Sequence, residues 1–107
     1  MKIYLLVSNL LSRQQIKLAL PDYQCQYIKT LTDISEPNAK VVAELNEQSI
    51  QELKASLEQI KENNIEVLCF YPHQQVLLAE QALELGMKKL YVKSKFFGET
   101  AKLVNQA

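Results

Sequence analysis

The stretch Ala82-Leu-Glu-Leu-Gly-Met-Lys-Lys-Leu-Tyr-Val-Lys93 reads as a helix that stops at Gly86 and turns directly into a strand. Leu83 closes the apolar side of the helix, Gly86 can take the left-handed conformation that ends one, and Leu90-Tyr91-Val92 is a β-favouring run. The unit is an αβ corner, and the rest of the chain is read outward from it.

Upstream, Ile65–Tyr71 is a strand stopped by Pro72, and Gln74–Leu85 is the helix that leads into the corner. Its buried side is expected to be Val76, Ala79 and Leu83 beside Leu78 and Ala82, which leaves Leu77 on the polar side with Glu80, Gln81 and Glu84. Downstream of strand Lys89–Lys93, Phe96–Gln106 reads as a final helix with Phe97, Ala101 and Val104 on one stripe. Asn46–Asn64 carries Ile50, Leu53, Leu57 and Ile60 at helical steps, with Glu52, Gln59 and Glu62 on the solvated side, and follows a strand over Ala39–Leu45. Ile3–Val7 is a nearly continuous apolar strand, as suits a sheet covered on both faces. Leu10–Leu20 is a helix with Leu11, Ile16, Ala19 and Leu20 as apolar positions, Asn9 as N-cap and Pro21 as stop. Tyr23–Ile28 is a strand whose glutamines suit an edge. Lys29–Asn38, with Pro37, has room for a short helical piece at most.

Strands and helices thus alternate through a chain of 107 residues with no repeat or linker, which predicts one domain over 1–107. Right-handed crossovers give a five-stranded parallel sheet of order 2-1-3-4-5 in a flavodoxin-like, three-layer α/β/α sandwich. The shortened second helix is expected to leave part of one face thinly covered. The formal charge of +0 gives no electrostatic reason for binding nucleic acid or an anionic membrane. Cys25 and Cys69 are far apart and lack a CxxC partner, so they read as reduced thiols in a cytoplasmic protein, with neither disulfide nor zinc. Met1–Val7 is too short for a signal peptide or a span.

At the corner, the sequence resembles the receiver (response-regulator) family, whose last αβ unit has a helix ending in Ala-Leu, a glycine, a β run and a lysine. Gly86 and Lys93 keep that spacing, and Tyr71 stands where the family has a threonine or serine. The resemblance implies that Ser8 and Asn9 occupy the place of the family's acidic pair and Glu44 that of the phosphoryl-accepting aspartate, with Asn46 as a rival register. Ser8, Asn9, Glu44, Tyr71 and Lys93 are therefore expected to converge at the strand ends. Mg²⁺ wants anionic oxygens, Ser8 and Asn9 supply neutral ones, and Glu44 is a methylene too long for an in-line acceptor. Glu44 and Lys93 are expected to pair, either as a mimic of the phosphorylated state or as a salt bridge closing a vacated pocket. Lys93 as a nucleophile would need burial that nothing local provides.

The resemblance and these substitutions together imply a non-catalytic pseudo-receiver, a phosphorylation-independent protein-interaction or regulatory module with no metal or cofactor. The alternative is a flavodoxin-like domain that binds a small ligand or nucleotide in the strand-end pocket; a third is a subunit completed by another chain. His73 lies in a turn without a Ser-His-Asp or Cys-His order around it, and Gly86 and Gly98 do not form a phosphate cradle after the first strand. Leu77, Tyr91 and Phe96 are candidates for an interaction surface, and a homodimer through that face or the thinly covered one is expected.

Overall fold

Apolar runs become the interior strands of a parallel sheet. The computed structural model describes residues 1–106 and orders its strands β2-β1-β3-β4-β5, with β1 over Lys2–Leu6, β2 over Gln24–Tyr27, β3 over Lys40–Glu44, β4 over Glu66–Tyr71 and β5 over Lys89–Val92. The predicted order and direction of all the strands are observed. The helices are α1 (Leu10–Ala19), α2 (Glu47–Ala55), α3 (Leu57–Glu62), α4 (Val76–Glu84), α5 (Lys93–Gly98) and α6 (Thr100–Asn105). The corner between α4 and β5 closes as expected. Gly86 has φ +95, Met87 N donates to Ala82 O at 3.1 Å and Gly86 N to Leu83 O at 3.0 Å, the two bonds of a Schellman C-cap.

Side chains alternate between two cores, as the pleat requires. Ile3, Leu5, Val42, Leu68 and Phe70 face α1, α5 and α6, meeting Ile16, Leu20, Phe96, Leu103 and Val104. Tyr4, Leu6, Val41, Ala43, Val67 and Cys69 face the other way, toward Leu53, Ala82 and Met87.

The second face departs from expectation. Between β2 and β3 there is no helix beyond a 3₁₀ turn at Leu31–Asp33, yet the sheet beneath is not thinly covered. Leu31 is 0% and Ile34 3% exposed, lying over Tyr4 and Leu6. Polar groups hold the segment down: Leu31 N donates to Glu52 Oε2 at 2.8 Å, Gln59 Nε2 donates to Leu31 O at 2.7 Å, and Tyr4 Oη donates to Glu36. Glu52 and Gln59 are thus half-buried anchors and not members of a solvated helix side. The bond to Glu36, with burial, raises the Tyr4 phenol above its ordinary range. What remains of the gap is a cavity of about 330 Å³ between Tyr27, Ser8, Asn46 and Gln48.

Helix boundaries also shift. The long helix breaks at Ser56, whose hydroxyl donates to Glu52 Oε2 at 3.1 Å while its backbone N reaches both Glu52 O and Leu53 O. The final helix begins early, at Lys93, and divides after Gly98, a poor helix former. That early start carries Phe96 fully inward and leaves Ala101 exposed. In α4 the inward stripe is Leu78, Ala82 and Leu85, so Val76 and Leu83, expected inside, are 55% and 62% exposed. In α1, Ser12 and Ile16 turn inward and Leu11 outward. Ile16 of α1, Leu20 at its C-terminal end, and Leu78 and Ala82 of α4 lie inward as predicted. Leu11, Val76 and Leu83, at the margins of the predicted stripes, turn outward, a choice that tertiary packing decides and local periodicity does not.

Candidate functional site at the strand ends

In a parallel α/β sheet the ligand site lies outside the carboxyl ends of the strands, where strand order reverses. At that point β1 and β3 run into α1 and α2, and a cavity of about 310 Å³ is lined by Ser8, Asn9, Glu44, Asn46, Pro72 and Lys93, among others. Four of the predicted site residues meet here. Tyr71 does not: pleat alternation sends Phe70 to the α5 side and Tyr71 to the α4 side, where it packs against the second core.

Each lining group is held by its local element. Asn9 caps α1, and its Oδ1 accepts from Ser12 N at 2.9 Å, so the helix end orients an amide whose oxygen is neutral where the family has a carboxylate. Glu44 is the last residue of β3, in register with Phe70, and its Oε1 accepts from Ser8 Oγ at 3.3 Å. Asn46, the rival for that register, also lines the cavity and is held by its own capping box, in which Asn46 Oδ1 accepts from Ser49 N at 2.8 Å and Asn46 N donates to Ser49 Oγ at 2.9 Å. Ser49 Oγ in turn donates to Glu44 O at 2.6 Å, fixing the turn after β3.

The expected Glu44–Lys93 ion pair is not among those formed in the described residues, which join Lys40 and Lys89 to Glu66 and Lys102 to Glu99. Lys93 opens α5 directly after β5, and its Nζ lies 6.0 Å from the centroid of the Phe97 ring. The sequence reading missed Arg13. Its Nε donates to Val7 O at 2.8 Å and its Nη2 to Ser8 O at 2.9 Å, while the guanidinium lies 3.8 Å over the Tyr27 ring. The signal was present in the spacing, since a residue one turn past an N-cap faces back over the loop that feeds the helix.

Among the residues lining the cavity Glu44 is the one carboxylate and Lys93 the one cation. A divalent cation would meet one acid, a neutral capping asparagine and an ammonium. The residues present do not fit Mg²⁺. His73 is exposed and borders a separate cavity of about 420 Å³ with Gln15, Lys93 and Phe97. Among the described residues, no three His, Cys, Asp or Glu side chains converge, and both cysteines are free.

No family model and no curated protein matches the chain. Among solved structures, it is similar to a response regulator from Thermotoga maritima, with a TM-score of 0.70 over 98% of each chain at 12% sequence identity. The fold is receiver-like. At that identity the likeness carries the architecture and leaves the chemistry to this chain's own residues. Among the described residues no helix is long and apolar enough to cross a membrane.

Proposed function

We propose that this receiver-like chain is a non-catalytic, phosphorylation-independent regulatory module that works by contact with a protein partner. The observation that carries the proposal is the strand-end cavity, whose lining holds a single carboxylate, Glu44, beside a capping asparagine and one cation, Lys93. Phosphoryl transfer to a carboxylate needs a metal to neutralise the developing charge. Incubation with acetyl phosphate and Mg²⁺ is expected to add no phosphoryl mass to the intact chain. A single added phosphate, lost in Glu44→Gln, would overturn the reading. The combination Ser8→Asp, Asn9→Asp and Glu44→Asp is expected to bring back Mg²⁺ binding, since aspartate also caps helices well.

The contact surface that supports a partner is α4, where Val76, Leu77 and Leu83 are 55%, 64% and 62% exposed. Tyr91 packs with Phe96 on the opposite, α5 face of the sheet, and Phe96 is fully buried, so both drop out of the candidate surface. Self-association through the α4 face is the simplest arrangement. Sedimentation at micromolar concentration is expected to show a dimer that Leu77→Glu dissociates; a monomer throughout would remove the dimer.

One observation favours the second reading, a small-ligand site. The 310 Å³ strand-end cavity and the 330 Å³ cavity beside the 3₁₀ turn share Ser8 and Asn46, and so lie side by side. Ligand density bridging the two in a crystal would decide for it.

A further inference from the structure

The largest recess lies at the opposite end of the sheet. A groove of about 730 Å³ runs between the C-terminal end of α3 and the α4–β5 corner, beside Glu66 and Lys89, the first residues of β4 and β5. Its volume is within the range of small-molecule sites, roughly 300–1,000 Å³. Its wall is aliphatic: Leu57, Ile60 and Leu85 are half-buried there, with Met87, Ile65 and Val67 beneath. No aromatic ring lines it.

The rim is cationic. Lys61, Lys88 and Lys89 line the groove, and Glu66 is the one carboxylate among the lining residues. Glu66 is already answered twice, by Lys89 and by Lys40 at 3.5 Å, while neither Lys61 nor Lys88 joins an ion pair among the described residues. Glu58 and Glu62, the acids of α3, do not line the groove. A chain of formal net charge +0 therefore concentrates uncompensated positive charge on the edge of its largest apolar recess.

From this juxtaposition we infer that the groove binds an aliphatic carboxylate, its chain along Leu57, Ile60, Leu85 and Met87 and its head group between Lys61 and Lys88. The aliphatic wall favours a chain over a stacked ring. Two lysines without an arginine offer point charges and no bidentate fork, which suits a simple head group. Because the rim ammoniums are solvated, they select the sign of the ligand and the apolar wall contributes most of the affinity. The inference is independent of the strand-end cavity.

Decanoate is the probe, with decyltrimethylammonium as its charge-reversed control, and binding to the full chain is followed by amide chemical shifts. Decanoate is expected to give saturable shifts confined to Leu57–Lys61, Asn64–Val67 and Leu85–Lys89 around the groove, weakening as salt rises. The combination Lys61→Glu and Lys88→Glu is expected to weaken decanoate about tenfold and to leave decyltrimethylammonium no weaker. Because both lysines are exposed, the variant tests charge and not folding. Absent shifts, shifts centred on Glu44 and Lys93, equal binding of the cationic probe, or an affinity untouched by the charge reversal would each overturn the inference.

Discussion

On the α1–α6 face the sheet is sealed by side-chain volume: Phe70 stacks on Phe96 at 5.0 Å, and Phe97 meets both rings edge-on at 5.2 and 5.5 Å. On the other face, beside β1, no helix lies between β2 and β3, and two aliphatic residues, Leu31 and Ile34, cover the strands from a segment held by Glu52, Gln59 and Tyr4. One face is closed chiefly by aromatic and aliphatic packing, with Lys40 Nζ donating to Val104 O at 2.6 Å at its margin, the other by a small apolar plug with polar tethers. The difference teaches that a missing helix need not expose a sheet. Its apolar contribution can shrink to a pair of residues, provided the backbone groups that a helix would have satisfied internally find partners elsewhere.

The comparison can be broken by substitution, starting with the aromatic face. Phe96→Ala removes a fully buried ring and is expected to cost about 3–5 kcal/mol in denaturant unfolding. Leu31→Ala on the tethered face is expected to cost about 2–3 kcal/mol, because a 3₁₀ turn can settle into the space more easily than two packed helices. Equal losses in the two variants would mean that the plug is as rigid as the aromatic core. Glu52→Ala leaves Leu31 N–H and the Ser56 hydroxyl without their partner, with an expected loss of about 1–2 kcal/mol. Faster hydrogen exchange at Leu31 and Ile34, with exchange in β4 unchanged, would locate that loss in the tether. The mildest test asks whether the tethered face is dry. Cys69 lies on it, and burial pushes its thiol up to about 12. The folded chain then keeps a proton that the unfolded chain releases above about pH 9, so stability falls as pH rises through that window toward 12. Cys69 is expected to contribute up to about 1.4 kcal/mol per pH unit, about the value for one proton, and Cys69→Ala to remove that share while the raised Tyr4 and Cys25 keep theirs. A Cys69 that reacts readily with thiol reagents at pH 8 would show that water reaches this face of the sheet at β4.

Much of this architecture is legible in the sequence because it is written locally. Continuous apolar runs mark Ile3–Val7 and Ile65–Tyr71 as covered strands, Gly86 announces the corner, and Lys29–Asn38 lacks room for a helix. Leu77 reads as exposed from its polar neighbours, and it is. What escapes depends on partners distant in sequence. Glu52 and Gln59 look like solvent residues on a helical wheel, and only the fold brings Leu31 to them. Phe96 looks like a surface residue if its helix begins there, but β5 passes into α5 without a loop and turns the ring inward. At the strand ends, the residue types are legible and the Glu44–Lys93 pairing is not, since opposite charges at one cavity do not guarantee contact. Asn9 is a case of both: it is recognisable as a cap and also stands in the place of the acidic pair, and the first role fixes the direction in which its amide oxygen points.

Every ladder in the sheet is parallel, and β1 lies between β2 and β3. No strand can therefore gain a partner from a tight hairpin; each must wait for an intervening segment to loop back, and that closure entropy is lost before any pairing returns it. The kinetic consequence is a barrier set by topology. The chain is expected to fold orders of magnitude more slowly than a helical bundle of equal stability, and during that delay the apolar runs of β1 and β4 are open to other chains.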